Sequence, residues 1–403
     1  MNELKQGRRI LTKISLAINI VFICGTIFIA YRFYPKIKSN FFPNKQEITA
    51  IQEAKLKDTD TIPTVFYDAS EFEIIGQLPN TKTYIRLPDN AEKIVREPVW
   101  KLSKNSAGIS VRFSSNSSKI KIRWTLNSNS NATNQTPIAS KGFDLYAYVE
   151  SKWQFVGVAQ PKGTIQNEAT VIVGMEAKNR EYLLNLPLYN GISSLEIGID
   201  KGTCIDKPTQ KIIDTSSPIV FYGTSITQGA SASRPGLTYA ALLERHFNKE
   251  VINLGFSGNG RFEKEIGKYF MTSKPSVIVL DCTPNSPADT IRKNLPELLD
   301  YILSLNDTIP IILVESIMRD FAFFKKDDKT VFGTISFINE QNKALKDVYE
   351  KKSKTNKNII YVSNHNLVGQ DHEATIDGTH FNDLGHYRAY ERLRQEIEKY
   401  LLK

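Results

Sequence analysis

From residue 217 to residue 403, five short apolar runs rich in β-branched residues alternate with helical patterns, and the connections between them are short. The runs fall at residues 219–222, 250–254, 276–281, 309–314 and 358–362, and helices are expected near 237–247, 261–272, 287–305, 337–352 and 384–402. Short apolar strands that each lead into a helix predict a parallel sheet covered on both faces. One helix start is well marked: Ser286-Pro-Ala-Asp289 offers an N-cap, a proline in the first turn and an acid at the third position. It fixes Asn285 directly before the helix, at the carboxyl edge of the sheet, where open α/β folds bind ligands.

Upstream the period changes. In residues 119–126, KIKIRWTL, the side chains of Ile120, Ile122, Trp124 and Leu126 share one face and those of Lys121, Arg123 and Thr125 the other. A period of two marks a half-buried antiparallel strand. Residues 143–149 and 153–158 flank Glu150-Ser-Lys152 as a hairpin, 180–188 and 194–199 supply further strands, and helical periodicity is nearly absent. Residues 62–204 therefore read as a β-sandwich. Residues 127–137, rich in Asn, Ser and Thr, read as an exposed loop, and 205–217 as a polar connector. Burial is expected for Trp124. Trp100 and Trp153 are open between core packing and stacking on sugar rings, and Asp144 between a contact to the second domain and a turn.

The N-terminus has its own pattern. Lys5, Arg8, Arg9 and Lys13 precede residues 14–31, which carry no charge. About 18 such residues are just enough to cross a hydrocarbon core, and no small-residue cleavage site follows. The expectation is a cytoplasmic segment (1–13), a signal-anchor transmembrane helix (14–34), a spacer (35–61), and both domains outside the cytoplasm, attached to the membrane. The formal charge of +9 comes from scattered lysines and arginines without a dense basic run, which argues against nucleic acid as a partner. Cys24 lies in the apolar run while Cys204 and Cys282 fall in different domains, so no disulfide framework is expected. No His/Cys spacing matches a metal site.

The chemistry gathers at the ends of the strands. The run 219–222 stops at Gly223, and Ser225 follows in a turn leading to a helix. Taken alone, Gly-Thr-Ser could merely close that turn. A serine needs a base, and the base a third group to fix its tautomer. Asp377-Gly-Thr-His380 offers both, with His380 on the loop just before the last helix. Between them, Asn253-Leu-Gly-Phe-Ser-Gly258 and Leu280-Asp-Cys-Thr-Pro-Asn285 offer a glycine N–H and a side-chain amide, suitable donors to an oxyanion. His365 is a rival base without an acid at useful spacing. His372 has only the adjacent Asp371, and His246 and His386 lie in helical patterns. Ser231 and Ser233 are near the nucleophile but outside its turn.

The order Ser225, Gly258, Asn285, Asp377/His380 over residues 216–403 resembles the SGNH (GDSL-like) hydrolase superfamily. Lys141-Gly-Phe-Asp-Leu-Tyr146 matches the GxDLY signature of an N-terminal domain found in a bacterial subgroup, and GTSITQGASASRPG (223–236) is typical of the same subgroup. The resemblance implies a flavodoxin-like parallel five-stranded sheet with helices on both faces, preceded by a jelly-roll-like all-β sandwich. It also implies ester hydrolysis through an acyl-enzyme without metal or organic cofactor. Ser225 is then the nucleophile, His380 the base and acid, and Asp377 its orienting carboxylate; the N–H groups of Ser225 and Gly258 and the amide of Asn285 form the oxyanion hole. Two departures stand out: Thr224 replaces the aspartate that precedes the nucleophile in many relatives, and Ser286 follows Asn285 where aspartate is common. O-acetyl groups on carbohydrate are the expected substrate, with a lipid acyl ester or non-catalytic carbohydrate binding as alternatives.

Overall fold

Two antiparallel sheets make up the first half of the chain in the computed structural model, which describes residues 62–130 and 132–401. The strands are β1 (Thr64–Asp68), β2 (Glu73–Ile75), β3 (Ser110–Ser115), β4 (Ile120–Leu126), β5 (Phe143–Val149), β6 (Lys152–Ala159), β7 (Gln166–Ile172), β8 (Arg180–Asn185), β9 (Ile192–Asp200) and β10 (Ile205–Asp206). Short helices α1 (Glu97–Ser103) and α2 (Pro137–Lys141) lie in the connections. One sheet has the order β1-β9-β4-β7 and the other β10-β3-β8-β5-β6, with β2 also beside β3. On β4 the expected alternation holds: Ile120, Ile122, Trp124 and Leu126 are buried and Arg123 is exposed. Trp124 meets the edge of Phe143 at 5.2 Å and donates from its indole N–H to Lys141 O at 3.1 Å. β3 is buried along its whole length. Its polar residues are covered too, with Arg112 donating to Gln210 O and Ser114 to Lys207 O, and this erases the period of two.

The second half is a parallel sheet of β11 (Asp214–Gly223), β12 (Lys249–Gly255), β13 (Val277–Asp281), β14 (Ile311–Val314) and β15 (Ile359–Val362), in the order β12-β11-β13-β14-β15. Helices α3 (Ser225–Gln228), α4 (Tyr239–Phe247), α5 (Lys264–Phe270), α6 (Ala288–Leu305), α7 (Ile335–Lys352) and α8 (Asp383–Leu401) connect and cover it. Successive residues of a strand point to opposite faces. Accordingly Val220, Tyr222, Ile252, Leu254, Ile278 and Leu280 join one buried cluster, and Ile219, Phe221, Val251, Val277 and Val279 another. The strand order reverses at β11, and ligands of such sheets bind beyond the carboxyl ends at that switch point. Ser225, Gly258 and Asn285 follow β11, β12 and β13, the three strands that meet there.

The two halves share a core. Leu78, Leu87, Val99 and Trp100, from the connection between β2 and β3, pack into the first cluster and cover one face of the parallel sheet. Trp100 is thereby a core residue, its indole N–H bonded to Glu92 at 2.8 Å. The buried Arg86 guanidinium clasps Gly255 O (2.5 Å), Leu102 O (2.6 Å) and Asn105 O (2.9 Å), tying the end of β12 to the same connection. Asp144 settles as an inter-domain contact, accepting from Arg234 at 2.6 Å and from Gly236 N at 2.9 Å.

Three expectations are corrected. Among the described residues no helix is long and apolar enough to cross a membrane; a span needs about 20 consecutive apolar residues, and the longest helices, α6, α7 and α8, carry charges throughout. The expected signal-anchor helix, with the membrane attachment and extracytoplasmic placement resting on it, is withdrawn on this finding; its segment, residues 14–34, lies outside the described residues. Ser286 does not cap α6: its hydroxyl turns back to Cys282 O at 2.9 Å, and Pro287 occupies the cap. Residues 134–136 of the expected exposed loop are half-buried against the second domain.

Glu244 on α4 is buried, its carboxylate accepting from Val251 N at 3.2 Å. Burial, with Glu250 nearby, pushes its carboxyl up to about 8. A carboxyl raised in this way holds its proton more tightly folded than unfolded. It therefore lowers stability as pH rises from its ordinary value of 4.5, with the full loss present above about 8. Glu244→Gln keeps the acceptor and removes the charge. In thermal melts at pH 5, 7 and 9 the variant is expected to gain on the parent as pH rises, by about 1 kcal/mol or more at pH 9.

Candidate active site

The nucleophile candidate sits where β11 turns sharply into α3. Thr224 is extended, its hydroxyl accepting from Ile226 N (3.3 Å), while the Thr227 hydroxyl accepts from Thr224 N (3.2 Å), so the first turn is capped from both sides. The turn is tight enough to demand glycine beneath it, since a Cβ on Gly223 would lie 1.9 Å from Thr227 Oγ1 and 2.9 Å from Asp281 O. Asp281, whose carboxyl burial pushes up to about 6, anchors α3 and α4 by accepting from Thr227 (3.0 Å) and the Tyr239 hydroxyl (2.8 Å). Ser225 is 8 % exposed, and Tyr189 from the sandwich donates its hydroxyl to Ser225 O at 3.2 Å.

His380 and Asp377 share one turn. Gly378 at its corner has φ +79°, and a Cβ there would meet Phe321 at 2.8 Å. Ile376 N bonds to His380 O (2.9 Å), and Gly378 N to the Thr375 hydroxyl (3.0 Å), which in turn donates to Asp320 (2.6 Å). The result brings His380 Nε2 to 2.9 Å from Ser225 Oγ and His380 Nδ1 to 2.7 Å from Asp377 Oδ2. Asp377 Oδ1 accepts from Thr379 N (3.1 Å) and His380 N (2.8 Å). Burial works against the charge on Asp377, but bonds from the His380 N–H groups and from Asn134 outweigh it and hold the carboxyl below its usual range. The imidazole is thus placed to carry its proton on Nδ1 and present a lone pair at Nε2 to the serine.

Gly258 and Asn285 lie against each other. Gly258 has φ +71° and open space where a Cβ would be. The Asn285 amide is satisfied when its oxygen accepts from Gly258 N (3.2 Å) and Asn259 N (3.1 Å), which turns its NH2 end away from them.

The rival bases fall elsewhere. His365 meets Gln370 at 3.2 Å, and His372 bonds to Asp320 at 2.9 Å while the adjacent Asp371 pairs with Arg388. His246 bonds to the Tyr390 hydroxyl; His386 is fully buried, held down to about 4 by burial, and faces Ala230 O and Tyr239 N. A cavity of about 330 Å³ lined by Asp320, His365, His372 and Thr375 abuts the Asp377/His380 turn, and none of Ser225, Asp377 and His380 lines it. Ser231 and Ser233 are occupied by sandwich contacts, the hydroxyl of one donating to Asn134 O (2.8 Å) and the carbonyl of the other accepting from Thr136 (2.6 Å). Neither Asn134 nor Tyr189 was legible in the sequence, because a polar loop and a short Tyr-Asn connection carry no period. The apolar residues Phe323, Phe324, Val331, Phe332 and Ile376, all exposed, were missed as well. They lie on the segments around the Asp377 turn.

Comparison with known proteins gives two adjoining family matches, the GDSL-like Lipase/Acylhydrolase family over residues 216–398 and the N-terminus of Esterase_SGNH_hydro-type over residues 64–205. A protein of Bacteroides ovatus described as a GDSL-like lipase is 34 % identical, with 84 % of this chain and 98 % of that one aligned at a TM-score of 0.78. The chain belongs to the GDSL-like lipase/acylhydrolase family. It is an SGNH-type serine hydrolase acting on ester bonds. The fold of the hydrolase is shared more widely. A salicylyl-acyltransferase from a tetracycline biosynthetic pathway matches at 16 % identity and TM-score 0.68, covering 83 % of this chain and 97 % of its own. A family two carbohydrate esterase of Cellvibrio japonicus matches at 10 % and 0.52, covering 84 % and 98 %. No curated protein matches the sequence.

Proposed function

We propose that this hydrolase cleaves carboxylic esters through an acyl-enzyme on Ser225, with O-acetyl groups of carbohydrate as its substrates. The observation that carries the reading is the unbroken relay from Ser225 Oγ through His380 to Asp377, at 2.9 and 2.7 Å. Ser225 Oγ attacks the ester carbonyl as His380 Nε2 takes its proton, and Asp377 stabilises the imidazolium. The oxyanion is received by the N–H of Ser225, the N–H of Gly258 and the NH2 of Asn285. The Gly258 bond to Asn285, at 3.2 Å, is at the long end of the usual range and leaves that N–H able to turn to a stronger acceptor. As the intermediate collapses and the C–O bond breaks, His380 gives its proton to the departing sugar oxygen, which leaves as the free hydroxyl. Water repeats the attack on the acyl-enzyme with His380 as base, releasing acetate.

Two observations support a sugar. The loop beside Ser225 (Ser231, Ala232, Ser233) is small and polar. Away from the relay, with none of Ser225, Asp377 and His380 in its lining, a depression of about 450 Å³ is lined by Tyr146, Trp153, Tyr387 and Tyr390 with Arg245 and Asn248, aromatic faces and polar groups of the kind that hold sugar rings. The carbohydrate esterases with this fold act on that substrate class. The exposed Phe323, Phe324, Val331, Phe332 and Ile376 favour a second reading, a longer acyl chain lying against the Asp377 turn. The full chain should be assayed on p-nitrophenyl esters from acetyl to decanoyl and on acetylated xylan and mannan. The first reading expects acetyl to be preferred at least about 10-fold over octanoyl in kcat/KM, with acetate released from polymer. Preference for octanoyl or longer esters would replace it with the second.

A further inference from the structure

The sandwich sends one side chain into the relay. Asn134, on the connection between β4 and α2, donates from Nδ2 to Asp377 Oδ2 at 3.0 Å, and the same Nδ2 lies 3.3 Å from His380 Nδ1. We propose that Asn134 is a positioning residue for the Asp377–His380 pair, so that the β-sandwich is a working part of the catalytic apparatus and not an appended module; this rests on the reading of Ser225, His380 and Asp377 given above.

The carboxylate itself supplies the argument. Oδ1 is filled by two N–H groups of its own turn, and Oδ2 receives the imidazole. The remaining donor, Asn134, comes from 243 residues away. Beside the imidazole it gives Oδ2 a donor from outside the turn, which helps fix the rotation of the carboxylate plane. As a neutral donor it also competes with the imidazole for the negative charge on Oδ2, which moderates how strongly Asp377 favours the protonated ring.

The loop that carries Asn134 is held as such a role requires. Asn134 O accepts from the Ser231 hydroxyl (2.8 Å), and the Thr136 hydroxyl donates to Ser233 O (2.6 Å) while accepting from Ala139 N (3.0 Å) as the cap of α2. Ser231 has φ +68°, a left-handed conformation uncommon for serine. The next residue but two, Arg234, runs into the sandwich. It pairs with Asp144 and the Tyr146 hydroxyl at 2.6 Å each, and its guanidinium lies 4.0 Å over the Phe155 ring. The Gly-Phe-Asp-Leu-Tyr block and the segment after the nucleophile are therefore two halves of one latch. Beside that latch, the loop bearing Asn134 is pressed onto the catalytic turn.

The test uses the full chain with p-nitrophenyl acetate across pH 5 to 9, comparing the parent with Asn134→Ala, Asn134→Asp and Ser225→Ala, and recording melting temperatures for all. The acid limb of kcat/KM reports the base that takes the serine proton. Asn134→Ala is expected to lower kcat about 10-fold with KM little changed, and to move that limb to higher pH because the competing donor is gone. Asn134→Asp, which adds a charge of the same sign as Asp377, should move it further in the same direction. A residue that merely held the loop would alter melting temperature or KM and leave the limb in place. If both Asn134 variants keep the parent's limb and kcat while Ser225→Ala is inactive, the positioning role is wrong and the relay stands. Should Ser225→Ala retain activity, the relay itself fails. If Asn134→Ala does not fold, the position of the limb in Asn134→Asp decides alone.

Discussion

Replacing Ser225 with alanine is expected to lower kcat for ester hydrolysis by about 10⁶-fold, with a melting temperature close to the parent's. The size of the loss follows from the absence of a substitute. The nearest hydroxyl residues in sequence, Thr224 and Thr227, are bound into the first turn of α3, and the Ser231 hydroxyl is given to Asn134 O. The substitution removes an oxygen from a residue that is itself buried and leaves the backbone N–H of residue 225, Gly258 and Asn285 in place. Residual activity should therefore resemble what an oxyanion hole gives unaided. Initial rates on p-nitrophenyl acetate, with thermal melts of the same preparations, decide it; a loss of less than about 10-fold would mean that the acyl group goes elsewhere.

Asp377→Asn is expected to cost about 10⁴-fold in kcat although it is nearly isosteric. Oδ1 accepts two backbone N–H bonds, from Thr379 and His380. The amide introduced there keeps its oxygen on those donors, and its NH2 is forced toward His380 Nδ1. The ring must then accept at Nδ1 and carry its proton on Nε2, the atom that has to accept from Ser225. The wrong tautomer, and not a lost fold, removes the activity. Asp377→Ala leaves the ring free to choose its tautomer and should be no worse than Asp377→Asn; the ratio of the two kcat values checks this directly. An Asp377→Asn enzyme within 10-fold of the parent would mean that the carboxylate does not set the tautomer.

The parallel sheet was readable because its strands are apolar on both faces and its helices are amphipathic, so the expected elements lie within a few residues of those found. Ser225 meets the Asp377/His380 turn, and Gly258 meets Asn285, because each follows a strand, or leads the last helix, and strand ends share one edge. What escaped the sequence were features set by partners far along the chain. Leu78, Leu87, Val99 and Trp100 show no strand period because they cover the face of a sheet whose first strand begins more than a hundred residues later. β3 reads as polar at Ser110, Arg112 and Ser114, yet all three are buried. Asn134 lies in a run of asparagines and serines that looks like any solvated loop, and only the latch through Arg234 and Asp144 gives it a task. The cap on α6 failed for a local reason: the Ser286 hydroxyl had a closer acceptor in Cys282 O.

The relay is tested most directly by covalent capture. The full chain is treated with a fluorophosphonate, digested, and the modified residue located by mass spectrometry, beside His380→Ala treated in the same way. One phosphonyl adduct is expected, on Ser225, forming in step with loss of esterase activity and at least about 1000-fold more slowly without the imidazole. An enzyme that hydrolyses esters at full rate while Ser225 is unlabelled, or that labels Ser225 equally well without His380, would contradict the relay.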